Sequence, residues 1–395
     1  MDLAELTALL TPEGLRLVDE LGAIDGVAEV AAAVSRLRAA GLSPDLVSAA
    51  VGQARLRTRA RAKFGPFADR MLFTRAGLEQ ATRLEVAARH AGRFRDAGIH
   101  RVADLGCGIG GDALAFAGIG LRVDAVDVDE VTAAIAAYNL APFGDAATVR
   151  CARAEEVDLG GVDAVWLDPS RRTPGHGETA RVGADEWSPP LVWVWDLAGR
   201  VPAGIKLGPA FDRERIPADA EAQWISVDGT TVELVVWTGA LARPGIRRAA
   251  LVLRGGGAAE LVAPADADDA PVRPLGAYLH EPEGAVIRAR LIGEVARAMD
   301  AGMLDPRIAY LTSDTEASSP FAQTFRVRER LPNDVRALAR ALRERGIGTL
   351  EIKKRGVDVD PAVLRTKLKL QGPESATLFV TRVGGARLTL LADRL

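Results

Sequence analysis

Apolar positions change their period along this chain. From residue 1 to about 62 they recur every three or four residues, as in "GVAEVAAAVSRLRAAG", which stops at Gly41. That spacing predicts amphipathic helices. Thr11-Pro12 and Ser43-Pro44 each read as an N-cap followed by proline at the first helical position. "FGPFADRMLFTR" breaks the pattern at Gly65 and Pro66, and Thr74 is placed to cap a further helix through "RAGLEQATRLEVAARHAGRF". From Val102 the apolar residues come in short runs instead: "RVADLG", "RVDAVDV", "DAVWLD" and "AGIKLG". Runs of this kind between helical stretches predict a parallel, doubly wound sheet covered on both faces. "QWISVDGTTVELVVW" differs, with two β-rich arms meeting at Asp228-Gly229. It reads as a hairpin that closes the parallel sheet.

"GGGAAELVAPADADDAPV" is rich in Gly, Ala, Asp and Pro and reads as a boundary. Beyond it a smaller α/β pattern follows: a helix near 286–301, a strand "RIAYLTS", a helix from Asn333 to Arg345, then "TLEIKKRG", a helix near 361–369 and paired strands "ATLFVTRV" and "RLTLLAD". The expected organisation is a helical N-terminal region over 1–75, a Rossmann-like α/β domain over 76–265 and a small α/β domain over 275–395.

Composition narrows the class. A chain of 395 residues exceeds one ordinary core. Hydrophobic content of 48% with 26% charged residues is globular. No apolar run approaches the ~18 residues of a membrane span, and "MDLAELTALL" lacks the basic start of a secretory signal. Two cysteines, Cys107 and Cys151, make no disulfide framework and fit a reducing cytoplasm. Four scattered histidines and those cysteines offer no metal-ligand spacing, so no metal is expected. The net charge of −3 is unevenly spread: residues 55–95 hold eleven Lys/Arg against three acids. Such a segment is either a solvated helix face or a footprint for nucleic-acid phosphates.

"VADLGCGIGGDALAFA" sets Gly106, Gly108, Gly110 and Gly111 between a strand and a helix. Such a turn lets a ligand approach the backbone. A dinucleotide would bring a pyrophosphate beside Asp104, whose carboxylate repels it. S-adenosylmethionine brings cationic groups, which Asp104 suits. Asp127, 23 residues on, is placed to hold ribose hydroxyls for either cofactor, so Asp104 carries the distinction. A turn that only packs helix on strand is the plain alternative.

"DLGCGIGGD", "AVDVDEVTAAIAAYN" and "LDPSRR" resemble motifs I, II and IV of class I S-adenosylmethionine-dependent methyltransferases. "FTRAGLEQAT" and the tail from "FRVRERLPNDVRALARALRERGIGTLEIKKRGVDVDP" to "LFVTRVGG" are similar to the bacterial group with a C-terminal THUMP-like domain. The resemblance implies that Asp104, Gly106, Gly108 and Gly110 line the methionine end of the cofactor. It puts Asp127 on the ribose, with Asp129 as an alternative, Val128 beside the adenine and Glu155 on the adenine amino group.

Asp168 and Pro169 end the strand "DAVWLD", where open α/β sheets bind ligands. Amino-directed methyltransferases place an acid or amide, two prolines and an aromatic there, so that the acid orients the acceptor nitrogen. Here Ser170 and Arg171 replace the second proline and the aromatic. Asp168 is expected to orient the acceptor, and Arg171 and Arg172 to hold an anionic part of substrate or cofactor. Ion pairing of these arginines with Asp185 or Glu186 is the plain reading. Trp187 reads either as a core residue or as a stacking platform, and His176 as an exposed loop histidine. Lys353, Lys354 and Arg355, with Arg326, Arg328 and Arg330, form a second basic region, and THUMP-bearing enzymes imply transfer RNA as its partner. The expected activity is therefore methyl transfer from S-adenosylmethionine to tRNA or rRNA. The rivals are transfer to a small molecule or protein, and a non-catalytic S-adenosylmethionine-sensing RNA-binding module.

Overall fold

The structure is a computed structural model that describes residues 1–169 and 187–395. The chain divides into two compact units, Met1–Leu207 with Val236–Ala242, and Gly208–Val235 with Arg243–Leu395.

The first unit opens with helices α1 (Leu3–Leu9), α2 (Pro12–Leu21), α3 (Val27–Ala39) and α4 (Pro44–Phe64). Both expected caps are present: the Thr11 hydroxyl accepts from the Gly14 N–H at 3.0 Å, and the Ser43 hydroxyl from Leu46 N–H at 3.3 Å. The single helix expected after Thr74 is two, α5 (Arg75–Gln80) and α6 (Leu84–Asp96). The break has a cause in Lys63, whose ammonium donates to the carbonyls of Leu78, Glu79 and Ala81 and so caps α5. Thr82, two residues beyond the end of α5, turns inward and donates to Asp112 at 2.7 Å.

The sheet then forms from β1 (Arg101–Leu105), β2 (Arg122–Asp127), β3 (Ala147–Cys151), β4 (Ala164–Leu167) and β5 (Ala203–Leu207), with α7 (Gly111–Gly118), α8 (Glu130–Leu140) and α9 (Leu191–Ala198) between them. The order is β3-β2-β1-β4-β5 and every neighbouring pair is parallel. The chain reverses its direction of winding between β1 and β4, the place where such sheets take ligands. Trp166 on β4 is fully buried and sits among Phe94, Phe116, Trp237 and His90, with ring centroids 4.6–6.2 Å apart.

The second unit carries β6 (Glu221–Val227), β7 (Thr230–Trp237), β8 (Arg248–Arg254) and β9 (Gly257–Ala263) in the order β7-β6-β8-β9. Asp228 and Gly229 have φ of 47° and 82°, the positive values a two-residue hairpin turn of this sequence demands. The last residues of β7 belong to the first unit, where the Thr238 N–H donates to Ala203 on β5 at 2.9 Å. The Gly-rich stretch read as a boundary begins instead with β9, because Gly255 and Gly256 make a tight turn from β8. The strand was hidden because its exposed face mixes Ala258, Glu260 and Val262.

A second sheet follows. Its strands are β10 (Tyr278–Pro282), β11 (Gly302–Asp305), β12 (Ile308–Ser313), β13 (Ala322–Leu331), β14 (Ile347–Lys354), β15 (Glu374–Val383) and β16 (Ala386–Arg394), ordered β11-β12-β10-β13-β16-β15-β14. Helices α10 (Gly284–Arg288) and α11 (Ile292–Ala298) replace the one helix expected near 286–301, parted where Arg290 takes φ of 59°. Helices α12 (Val335–Glu344) and α13 (Pro361–Leu368) bury Leu338, Leu342, Leu364 and Leu368 against Leu378, Val380 and Leu391. No helix among the described residues is long and apolar enough to cross a membrane.

Gly204 on β5 lies between two indoles. A Cβ there would stand 2.6 Å from the Trp166 ring and 2.7 Å from the Trp237 ring. Gly204→Ala is therefore expected to destabilise the protein by about 1–3 kcal/mol, read as a lower urea midpoint with an unchanged slope.

Candidate active site

The ends of β1, β2 and β4 converge on one set of carboxylates. Gly106 and Cys107 turn over β2, each donating its N–H to the Val126 carbonyl, at 3.0 and 2.9 Å. Gly106 has φ of 94°, and a Cβ on it would stand 3.3 Å from the Asp168 carbonyl oxygen. The turn after β1 thus touches the end of β4, and both its conformation and its space favour glycine. Gly108 also has positive φ, at 55°. Gly110, in the left-handed region, caps α7 and packs on Leu140 of α8.

The two aspartates after β2 have separate tasks. Asp127 accepts from the Gly108 N–H at 3.0 Å through one carboxylate oxygen and from the Asp129 N–H at 2.9 Å through the other. Burial pushes its carboxyl above the usual range, against the lowering effect of those N–H groups. Asp129 is the N-cap of α8: its carboxylate accepts from Thr132 N–H and Thr132 hydroxyl, at 2.8 and 2.7 Å. Only Asp127 is tied to the glycine turn. Val128 between them is half exposed, an apolar surface beside the turn. Glu155 lies on the 3₁₀ turn after β3, and its carboxylate accepts from Arg153 at 3.0 Å.

Asp104 is the unusual group. It is 1% exposed, and neither carboxylate oxygen has a hydrogen-bond partner among the described residues. Burial, together with the negative charges of Asp112 and Asp168, raises its carboxyl well above the usual range, and Lys206 offsets this only in part. Such a carboxylate costs stability until a cation or donor reaches it. The Cys107 thiol is likewise pushed up by burial and by Asp104, which keeps it protonated and inert.

Asp168 is half-buried, with Pro169 buried behind it. The sequence reading overlooked its partner. Lys206 on β5 places its ammonium 2.5 Å from the Asp168 carboxylate and 3.8 Å from Asp112, and donates to the Thr82 hydroxyl at 3.1 Å. Asp112 also accepts from Thr82, and it is 3.0 Å from Nδ1 of His90. Burial raises the Asp112 carboxyl, but the His90 hydrogen bond and the Lys206 charge outweigh it and hold the group low. The available signal was a lysine inside the apolar run "AGIKLG", since a buried lysine is rare unless paired.

The remaining predicted groups divide. Trp187 is buried, as a core residue would be. Arg171, Arg172, His176, Asp185 and Glu186 lie outside the described residues. In the basic segment, Arg57 is buried and bonded to Asp19 and the Met71 carbonyl, and Lys63 caps α5. Arg55, Arg59, Arg70 and Arg89 are exposed and make no ion pair with a described residue. Lys353 pairs with Glu281 and Glu351, while Lys354 is exposed. Arg326, Arg328 and Arg330 are exposed in alternation along β13, with Arg328 paired to Asp393. Among the described residues, no group of three or more His, Cys, Asp or Glu is arranged to hold a metal ion.

Several known proteins are similar to this chain. Residues 322–394 match the family described as THUMP domain-like, and residues 2–60 match a domain family of unknown function. Two proteins of Mycobacterium tuberculosis, from strains CDC 1551 / Oshkosh and H37Rv, are each described as an uncharacterized S-adenosylmethionine-dependent methyltransferase. Each is 34% identical to this chain over 343 residues, spanning 85% of this chain and 92% of its own. A solved structure from Porphyromonas gingivalis W83, described as a candidate methyltransferase, shares the fold with a TM-score of 0.68 at 19% identity. The match covers 94% of this chain and 99% of that one.

The raised Asp104 carboxyl has a pH consequence. A folded value above the unfolded one means that the native state holds the proton more tightly, so its stabilising contribution fades as pH rises through the raised value. Asp104→Asn is expected to make the ligand-free protein more stable than wild type at neutral and alkaline pH, with a flatter loss of stability above about pH 4. The same variant should bind S-adenosylmethionine on the order of tenfold more weakly, and the rise of affinity with pH expected of wild type should vanish. Thermal melts across pH and calorimetry in two buffers of different ionisation enthalpy check both.

Proposed function

Because this chain belongs to the S-adenosylmethionine-dependent methyltransferases, we propose that it transfers the methyl group to RNA, with Asp168 orienting the acceptor. When bound, S-adenosylmethionine supplies a methyl group on a sulfonium. The residues present fit it: the unpartnered carboxylate of Asp104 takes the cationic methionine end, and Gly106 and Gly108 leave the backbone open to it. Asp127 accepts from the ribose hydroxyls, through lone pairs its two backbone donors leave over. Val128 would stand beside the adenine and Glu155 would accept from its amino group.

Asp168 then accepts a hydrogen bond from the N–H of the acceptor and turns the nitrogen lone pair toward the methyl carbon. Most of the rate gain is positioning of this kind. Lys206 acts through Asp168 as a positioning residue, holding the carboxylate in place by a short ion pair within a network that Asp112, Thr82 and His90 complete.

The observation that carries the RNA reading is the field of exposed arginines, Arg55, Arg59, Arg70 and Arg89, in the same compact unit as the glycine turn. Cations on one segment with no carboxylate partner among the described residues are the footprint expected for phosphates. A hollow of about 310 Å³ opens among Arg59, Lys63, Arg75 and Arg83. The THUMP-like tail supports the same reading, because such domains accompany enzymes that grip transfer RNA.

Purified protein given S-adenosylmethionine with a radioactive methyl group and bulk tRNA or rRNA should label the RNA. Asp168→Ala should lower that labelling by about 10²-fold or more, with RNA affinity and cofactor affinity unchanged. Lys206→Met should lower turnover in the same direction. Labelling of protein or small molecules, and of no RNA, would overturn the RNA reading while leaving the enzyme class intact.

A further inference from the structure

Within the second compact unit a hollow of about 490 Å³ is lined by four arginines, Arg213, Arg288, Arg290 and Arg355, and by no carboxylate. The volume lies within the ~300–1,000 Å³ of small-ligand clefts. None of the residues assigned above to methyl transfer lines it. Two aromatic side chains, Phe211 and Trp224, are buried in its wall, and the Trp224 indole N–H is bonded to the Pro209 carbonyl at 3.2 Å. The wall therefore combines apolar and cationic side chains.

The arginines are only loosely engaged. Arg213 is 3.1 Å from Asp266, Arg290 is 3.4 Å from Asp269 and Arg355 is 3.8 Å from Glu281. Arg355 also stacks over Tyr310 at 5.0 Å, which fixes the plane of its guanidinium. Each of these partly exposed pairs is worth little and leaves several of the five N–H donors unused. Arg288, exposed on α10, makes no ion pair or hydrogen bond with a described residue. Guanidinium forks converging on a space with no negative group in its wall match a phosphate, which accepts two parallel N–H bonds from each fork. The apolar wall suits a sugar and base attached to it.

We propose that this hollow is a nucleotide-phosphate site that holds one nucleotide of the substrate RNA away from the methylated position, with Arg288 as its principal contact. The proposal rests on the RNA reading above, and it adds a second grip on the strand. Arg355, just past the end of β14 and inside the THUMP-like match, lines the hollow together with Arg213, Arg288 and Arg290. The tail would thus contribute to RNA binding through this hollow, while Lys353 is already held by Glu281 and Glu351.

The test compares full-length wild type with Arg288→Glu and Arg213→Ala. Binding of fluorescein-labelled tRNA is read by anisotropy at several salt concentrations, and binding of adenosine monophosphate by calorimetry. Thermal midpoint and S-adenosylmethionine affinity serve as controls that the variants fold. The expected result is a roughly tenfold loss of RNA affinity in each variant, with the salt slope reduced by about one for Arg213→Ala and the controls unmoved. Wild-type RNA binding that both variants retain in full overturns this site and leaves the RNA reading standing. Loss of adenosine monophosphate binding in the variants, with no RNA binding by wild type, supports the phosphate site, makes a free nucleotide its ligand and overturns the RNA reading. No binding of either probe by wild type overturns both.

Discussion

The Lys206 ammonium sits where carboxylates crowd. Asp112 and Asp168 both reach it, and Asp104 feels all three charges while bonding to none of them. A positive charge at this depth is costly by itself, and so is each carboxylate. Together they hold two acids in fixed places and leave the third short of compensation. In the function proposed above, the deficit at Asp104 is what a cationic ligand at the end of β1 would meet. The rest of the first unit can be understood as the scaffold that keeps this imbalance in register.

That scaffold begins well before the sheet. Gln53 on α4 bonds both backbone groups of Phe73, at 2.6 and 3.0 Å, and Arg57 bonds the Met71 carbonyl. Asn139 on α8 closes the other side, pairing with both backbone groups of Leu72 and with the Ile109 carbonyl in the glycine turn. Buried side-chain amides thus pin an extended strap against the turn from two directions, and each has its hydrogen-bonding groups satisfied. A Cβ on Gly77 of α5 would stand 2.4 Å from the Ile109 side chain, so the helix that follows the strap lies directly on the turn.

Much of this was legible in the sequence where a local rule decides the structure. The caps at Thr11, Ser43 and Thr74, the turn at Asp228-Gly229 and the parallel strands all follow from neighbours in the chain. The glycine turn and the place of Asp168 just past β4 were legible for the same reason. What escaped depends on partners far apart. Lys206 looked like one polar residue in a strand, and its role exists only because β5 lies beside β4. The break between α5 and α6 needed Lys63 and Asp112, which flank it at a distance. The β9 strand escaped because its exposed face mixes Ala, Glu and Val, which leaves no clean apolar alternation.

The strap also bears on how this chain can have evolved. The domain family matched by residues 2–60 ends between the side chains that fasten the strap and the strap itself. Gln53 and Arg57 belong to that segment, while the backbone they hold presses on the loop that would receive the cofactor. A segment so placed is not free cargo that recombination could exchange for another N-terminus. Its inheritance is bound to that of the sheet, and drift in α4 must be answered in the strap or in Asn139.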